Sequence, residues 1–179
     1  MKVLAIIDEQ YDFTSGALGN AECEATVPAI VSYIEEHIGE YEEVWLPRDT
    51  HQENYLETQE GRKLPVVHCI ENTSGWEVRE EIVSALEHQD VKMRYFNKPT
   101  FGSVQMAQFA RETYDREGSL TVDICGVCTG ICDLSNGVLI RAFSPETEVR
   151  MIEKLCACVT PETHMHAIEA AKTLQIDMI

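Results

Sequence analysis

The sequence has little positive charge. Lysine and arginine together number 14 among 179 residues, against 31 aspartates and glutamates, and the formal net charge at pH 7 is −17. Nucleic-acid backbones and anionic lipid surfaces repel a chain with such an excess of acid. We therefore expect neither a nucleic acid nor a membrane among its partners, and we interpret most of the acidic residues as a solvated surface.

Long apolar runs are also missing. No stretch approaches the ~20 apolar residues that a membrane-spanning helix requires. The first apolar run, Val3–Ile7, reaches Asp8 too soon for a secretory signal. The cysteine count is odd, at seven, and does not suggest a framework of paired disulfides. We expect a cytoplasmic protein whose residues 1–179 form one domain.

Strand-like apolar runs alternate with helical patterns along the chain. The six strand candidates are Lys2–Ile7, Glu43–Leu46, Val91–Phe96, Leu120–Cys125, Glu148–Ile152 and Gln175–Ile179. The helices are predicted to begin near Thr26 (with Pro28 in its first turn), Trp76, Ser103, Gly130 and Thr160. This alternation predicts a three-layer α/β domain, in which helices cover both faces of a mostly parallel sheet.

Three reactive side chains fall where strands of this sheet should end. Asp8 follows the first strand, Lys98 follows the third, and Cys132 lies past the small-residue turn after the fourth. Ligands bind outside the carboxyl ends of the strands in such sheets. A helix start favours the thiolate form of a cysteine, an acid can serve as its general base, and a lysine lowers the thiol pKa. Together they predict a cysteine hydrolase, although Asp8 and Lys98 taken singly are more typical of a cap and of a solvated surface.

A second group of residues has the chemistry of metal ligands. Asp49 and His51 are two residues apart, so on an extended segment their side chains face the same side. His68 follows later in the chain, and Glu60 lies between them. Two imidazoles and a carboxylate suit zinc, iron or manganese. The spacing alone is equally compatible with a hydrogen-bonded loop.

Two phenylalanines flank the catalytic candidates. Phe13 follows Asp8 closely, and Phe101 follows Lys98. Either ring could stack on an aromatic substrate. Packing in the core is the more common arrangement for phenylalanine.

The remaining cysteines favour structural roles. Cys125, Cys156 and Cys158 lie in apolar, strand-like surroundings, and we expect them to pack as small hydrophobic residues. Cys125 and Cys128 have the spacing of a redox pair. We regard this as the less favoured interpretation, because Cys125 should point into the sheet while the turn carries Cys128 away from it.

The segments around the catalytic candidates resemble those of a known family. Asp8-x-Gln-x-Asp-Phe13, Lys98-x-x-Phe-Gly-Ser103 and Gly126-Val-Cys-Thr-x-x-Cys132 are similar to the three blocks that hold the Asp, Lys and Cys of the isochorismatase-like cysteine hydrolases. Arg48–His51 together with Pro65–Cys69 resembles the metal segment of the nicotinamidases within that family. The resemblance covers most of the chain.

The resemblance implies a six-stranded parallel sheet of the doubly wound type and a specific reaction. Asp8 would take the proton of Cys132, whose thiolate would attack an amide carbonyl and form a thioester. The backbone N–H groups of Cys128 and Cys132 would form the oxyanion hole, with a cis peptide bond before Cys128. Phe13 and Phe101 would contact the substrate.

The resemblance also implies a cofactor and an assembly. A divalent metal, with zinc first and iron or manganese as alternatives, would be bound by Asp49, His51 and His68, with Glu60 as a further ligand. The protein would be a homo-oligomer. Its substrate would be nicotinamide or a related small amide, converted to the acid and ammonia.

Two alternatives stay open. One is a family hydrolase with another small substrate, such as a carbamoyl or vinyl-ether compound. The other is a non-catalytic family member that acts as a binding protein. The support for the second is a departure from the family pattern: Gly130 replaces an acid that many members carry, and Asp133 follows the thiol where a hydrophobic residue is common.

Overall fold

The computed structural model describes residues 1–179. The strands are β1 (Lys2–Ile7), β2 (Glu43–Asp49), β3 (Lys92–Lys98), β4 (Thr121–Val127), β5 (Glu148–Ala157) and β6 (Asp177–Met178). The α-helices are α1 (Tyr11–Thr14), α2 (Ala21–His37), α3 (Gln59–Lys63), α4 (Glu80–His88), α5 (Val104–Glu117), α6 (Leu134–Phe143) and α7 (Pro161–Thr173). Short 3₁₀ turns cover Ile38–Glu40 and Tyr55–Glu57, and a π-helical turn covers Thr129–Asp133.

The six strands form one sheet in the order β3-β2-β1-β4-β5-β6, and every neighbouring pair is parallel. The predicted α/β fold is confirmed. β1 and β4 lie in the middle of the sheet, whereas β3 is an outer strand with one hydrogen-bonded neighbour, β2. No helix is long and apolar enough to cross a membrane.

The sheet separates two hydrophobic cores, because successive side chains of a strand point to opposite faces. On β1, Leu4 and Ile6 belong to one core, which α2 and α4 cover. Val3, Ala5 and Ile7 belong to the other, which α5, α6 and α7 cover. Since both faces are buried, β1 is apolar from Val3 to Ile7.

The predicted starts of two helices are wrong. α2 begins at Ala21 rather than near Thr26, with Asn20 as its cap, so Pro28 lies inside the helix instead of in its first turn. The helix expected near Trp76 begins at Glu80. For α2 the predicted start, Thr26, lies after the observed one. For α4 the predicted start, Trp76, lies before the observed one.

The other helix starts agree more closely with the sequence. Ser103 caps α5 and Thr160 caps α7, as predicted. The start expected near Gly130 lies in the π-helical turn, and α6 follows from Leu134. β2 and β3 extend beyond the predicted ends, so that Asp49 and Lys98 are their last residues.

Candidate active site and metal centre

Four predicted site residues lie at the carboxyl ends of four neighbouring strands. Asp8 follows β1, Asp49 and Lys98 end β2 and β3, and Cys132 follows β4. Asp49 and Lys98 are also register partners. The strand order therefore brings together residues that are far apart in the sequence, and all four are at most 5% exposed.

Lys98 lies at the centre of this group. Its Nζ atom is 2.7 Å from Asp8 Oδ2, 3.5 Å from Asp49 Oδ1 and 3.7 Å from Cys132 Sγ. An ammonium group buried in this way is tolerated because opposite charges surround it. The predicted acid, cation and thiol thus form one buried cluster, the Lys98 pocket.

The charges of this group depend on one another. Burial by itself lowers the pKa of Lys98, but the attraction of the neighbouring carboxylates, Asp8 above all, outweighs it and raises that pKa above its ordinary value. Burial raises the pKa of Asp8, Lys98 opposes that effect, and the result is about 6. At neutral pH Lys98 is therefore charged, and Asp8 is an anion that can accept a proton.

Cys132 departs from one expectation. Burial raises the pKa of its thiol well above the ordinary value, and the attraction of Lys98 offsets this only in part. The expected preference for the thiolate at a helix start is therefore wrong for the resting protein, because the thiol is buried within the π-helical turn and two carboxylates lie near it. A base is required to ionise it.

The turn before Cys132 is closely packed against β1. Gly126 has a φ of +124°, and a Cβ atom there would lie 2.2 Å from the carbonyl oxygen of Ile7, so only glycine fits. The peptide bond between Val127 and Cys128 is cis, as the resemblance implies. The N–H of Cys128 donates to no acceptor within the chain, and so it is free to bind an oxyanion.

Asn136 holds this turn in place. Its Nδ2 donates to the carbonyl oxygen of Cys132 at 2.8 Å, and its Oδ1 accepts from the N–H of Ser103 at 2.9 Å. The amide thereby ties the nucleophile turn to the cap of α5. Sequence reasoning missed Asn136, which lies one helical turn after Cys132.

The four predicted metal ligands also converge. One donor atom from each of Asp49, His51, Glu60 and His68 lies within 4.8 Å of the others. His51 Nε2 is 3.0 Å from Asp49 Oδ2 and 3.7 Å from Glu60 Oε1, and His68 Nε2 is 3.4 Å from Asp49 Oδ2. Two imidazoles and two carboxylates in this arrangement fit a divalent metal such as zinc.

Neighbouring groups orient His68 and keep Asp49 ionised. His68 Nδ1 donates to the carbonyl oxygen of Val66 at 2.7 Å, which turns Nε2 towards the cluster. Burial alone would raise the pKa of Asp49, but Lys98 and the two histidines lower it below its usual range. Asp49 therefore stays ionised and links the metal centre to the Lys98 pocket.

Gln10 and Asp12 also support the metal side of the site. Gln10 Nε2 donates to the carbonyl oxygen of Asp49 at 2.9 Å, and Gln10 Oε1 accepts from the Asp49 N–H at 2.7 Å. Asp12 Oδ2 accepts from the N–H of Cys69 at 2.7 Å, beside His68. Both residues lie in the Asp8–Phe13 segment, but no spacing rule predicts such contacts with backbone groups.

The two phenylalanines differ in position. Phe13 is half-buried and meets the His68 ring edge-on, with ring centroids 5.4 Å apart. Phe101 is 46% exposed and lies on the wall of a cleft of about 570 Å³. His51 and Glu60 line the same cleft. It is large enough for a small aromatic molecule next to the metal side of the site.

The comparison with solved structures finds the same fold in known enzymes. The nicotinamidase/pyrazinamidase of Bacillus subtilis has 24% identity and a TM-score of 0.80, with 99% of this chain matched to 98% of that one. The pyrazinamidase of Pyrococcus horikoshii, solved in complex with zinc, has 25% identity and a TM-score of 0.76 over the same shares. The pyrazinamidase/nicotinamidase of Streptococcus mutans has 21% identity and a TM-score of 0.82, with both chains fully covered.

Sequence comparison gives the family directly. A search of curated proteins finds no match. A family model described as the isochorismatase domain matches residues 2–179. Because this match spans almost the entire chain, the protein belongs to the isochorismatase family.

Proposed function

We propose that the protein is a cysteine amidohydrolase, which converts nicotinamide or a related small amide to the acid and ammonia through a thioester. The single observation that carries this proposal is the contact of Lys98 Nζ with both Asp8 and Cys132. Further support comes from the fold shared with nicotinamidases and pyrazinamidases.

In the first half of the reaction, Asp8 takes the proton of the Cys132 thiol, and Lys98 Nζ lies against both groups. Lys98 offsets the charge of the thiolate. The sulfur attacks the amide carbonyl carbon, and the carbonyl electron pair moves to the oxygen. This oxyanion accepts hydrogen bonds from the backbone N–H groups of Cys128 and Cys132. Asp8 then returns the proton to the nitrogen, the C–N bond breaks, and ammonia leaves.

In the second half, Asp8 removes a proton from water. The resulting hydroxide attacks the thioester carbon, the C–S bond breaks, and the carboxylic acid departs. The Cys132 thiolate regains its proton, and Asp8 is again ionised. The pKa of about 6 suits this carboxyl to both directions of proton transfer near neutral pH.

Asp49, His51, Glu60 and His68 would hold the metal, with zinc as the first candidate and iron or manganese as alternatives. A bound divalent ion supplies a Lewis acid for a ring nitrogen of the substrate. Phe13 and Phe101 would contact the ring. Support for zinc comes from the zinc complex of the Pyrococcus horikoshii pyrazinamidase.

The test is ammonia release from nicotinamide by the purified protein supplied with zinc. The Cys132→Ala variant should lose at least ~10³-fold in kcat, because no other group forms the thioester, while calorimetry should still detect substrate binding. Cys156→Ala, which removes another buried cysteine, serves as the matched control and should retain turnover. Full activity of Cys132→Ala, or release of ammonia from carbamoyl compounds alone, would contradict the proposal.

A homo-oligomeric form and a cytoplasmic location remain predictions from the sequence. Sedimentation equilibrium of the metal-loaded protein tests the first of these. A sedimenting species of about 20 kDa, the mass of one chain, would contradict it.

A further inference from the structure

A second group of thiols lies beside the site, at the ends of β4 and β5. Val127 and Ala157 are register partners in these two strands, and Cys128 and Cys158 are the residues that follow them. Neighbouring strands lie about 4.8 Å apart. Disulfides join residues whose Cα atoms are ~4.4–6.8 Å apart, so the two cysteines are placed where a bond can form.

Cys23 completes the group from α2. Its Sγ atom lies 3.8 Å from the carbonyl oxygen of Cys158 and accepts a hydrogen bond from Asn20 at 3.2 Å. Cys23, Val127 and Ala157 form a small apolar cluster, and Cys128 packs against it. Cys128 is the half-buried member, and the other two cysteines are buried. Cys125 belongs to a different core, as expected if Cys125 and Cys128 are not a redox pair.

The pKa values of the three thiols differ. Interaction with the Cys128 thiol is the largest cause that lowers the pKa of Cys158, to about 5, and it also lowers the pKa of Cys23. The same contacts raise the pKa of Cys128. Cys158 is buried, as expected from the sequence, and its lowered pKa favours the nucleophilic thiolate.

We propose that Cys128 and Cys158 form a reversible disulfide when the protein meets a peroxide, and that this bond switches off the neighbouring site. The disulfide itself follows from the strand register and the thiol cluster. Only its effect on turnover rests on the proposed function.

The oxidation balances with hydrogen peroxide as the oxidant. The Cys158 thiolate attacks one peroxide oxygen, an S–O bond forms, the O–O bond breaks, and the departing hydroxide takes the Cys128 proton to give water. The Cys128 thiolate then attacks the sulfenic sulfur, an S–S bond forms, the S–O bond breaks, and the second hydroxide takes a proton from solvent. Two thiols are oxidised by two electrons, and one peroxide becomes two waters.

The bond affects the site through the nucleophile turn. Cys128 carries an N–H that we assign to the oxyanion hole, and its sulfur would be tied to the end of β5. That link would constrain the turn on which oxyanion binding depends.

The bond is measured first in the Cys132→Ala protein, where the nucleophile cannot be oxidised. Six of the seven cysteines remain, and one equivalent of hydrogen peroxide should lower the titratable thiols by two. Mass spectrometry after trypsin should find peptide 117–141 joined to peptide 155–172. Dithiothreitol should separate them.

Added variants identify the bonded residues. Cys158→Ser should abolish the cross-link, whereas Cys156→Ser, the matched control in the same peptide, should keep it. A cross-link from Cys23 to Cys128, or none at all, would overturn the proposed disulfide. These readouts do not require turnover, so they stand apart from any failure of the amidohydrolase proposal.

The effect on turnover is measured with Cys132 present. Cys158→Ser should keep the basal rate of ammonia release and should be inactivated by low peroxide at least ~10-fold more slowly than the unmodified protein. Dithiothreitol should restore the activity of the unmodified protein. Equal inactivation rates in the two proteins would overturn the switch.

Discussion

Two pairs of buried carboxyl groups lie in the region of Cys132. Asp8 and Asp49 lie on either side of the Lys98 ammonium group and accept further hydrogen bonds. Glu9 and Asp133 are equally buried, but no cation lies against them, and Glu9 Oε2 and both carboxylate oxygens of Asp133 have no hydrogen-bond partner.

The difference in surroundings separates the two pairs in charge. Burial raises the pKa of Glu9 to about 8, and it raises that of Asp133 well above its ordinary value. Lys98 limits the rise for Asp8 and reverses it for Asp49. Burial by itself makes a carboxyl group neutral, and one buried cation keeps its neighbours ionised. The protein thus holds reactive anions and neutral acids within one region.

The largest expected effect is that of Lys98→Met, which would remove the difference between the pairs. Two buried anions would lose their partner, and the free energy of unfolding should fall by about 3–5 kcal/mol. Ammonia release should fall at least ~100-fold. Urea unfolding and initial rates measure the two effects. Lys92→Met, on the exposed part of the same strand, is the control, and equal stability of both variants would contradict the comparison.

Asp49→Ala tests whether the charged pair also serves the metal centre. Loss of the carboxylate that both histidines contact should weaken zinc binding by at least ~10-fold and raise KM. Elemental analysis after dialysis against a zinc buffer measures the first effect. Asp115→Ala removes an exposed acid as the control. Zinc content equal to that of the control would show that the cluster is only a hydrogen-bonded loop.

Glu9→Gln tests the neutral pair through the pH dependence of stability. The folded state raises the pKa of Glu9 from 4.5 to about 8, so the folded protein binds the proton more tightly and loses stability as pH rises through that range. The stability of the variant should not show this loss with rising pH. Its free energy of unfolding at pH 7 should exceed that of the unmodified protein by on the order of 1–3 kcal/mol. Thermal unfolding between pH 5 and pH 8 is the measurement, with Glu53→Gln as the exposed control. Parallel pH profiles for the variant and the unmodified protein would contradict a neutral Glu9.

Asp133→Asn should have the smallest effect. An amide replaces a carboxyl that is already uncharged, so the free energy of unfolding at pH 6 should change by less than about 1 kcal/mol and kcat should be retained. Urea unfolding and ammonia release check both. A loss above ~3 kcal/mol would mean that Asp133 is ionised and paired in the folded protein.

The sequence predicts the parts of the site that depend on strand order. Asp8, Lys98 and Cys132 follow recognisable apolar runs, and parallel strands bring their ends to one edge of the sheet. Asp49 and His51 were predictable because an extended segment places alternate residues on one side. These inferences need only the direction of the strands.

Other features could not be predicted because they depend on contacts between distant segments. The register of β4 against β5 sets Cys158 beside Cys128, and no pattern within either strand reveals it. The protonation of Cys132 depends on its burial, which a helix-start rule does not contain. Asn136 acts on backbone carbonyls, which every segment has, so its role leaves no spacing to recognise.

The position of β3 at the outside of the sheet has a consequence for how the protein can fail. Outer strands are among the first elements to fray, since neighbouring backbone supports them on one side only. Lys98 is the last residue of that strand. Local opening there would withdraw the ammonium group from both carboxylates while the central strands stay paired. Such an opening would leave most of the architecture in place but remove the cation on which the reactive anions depend.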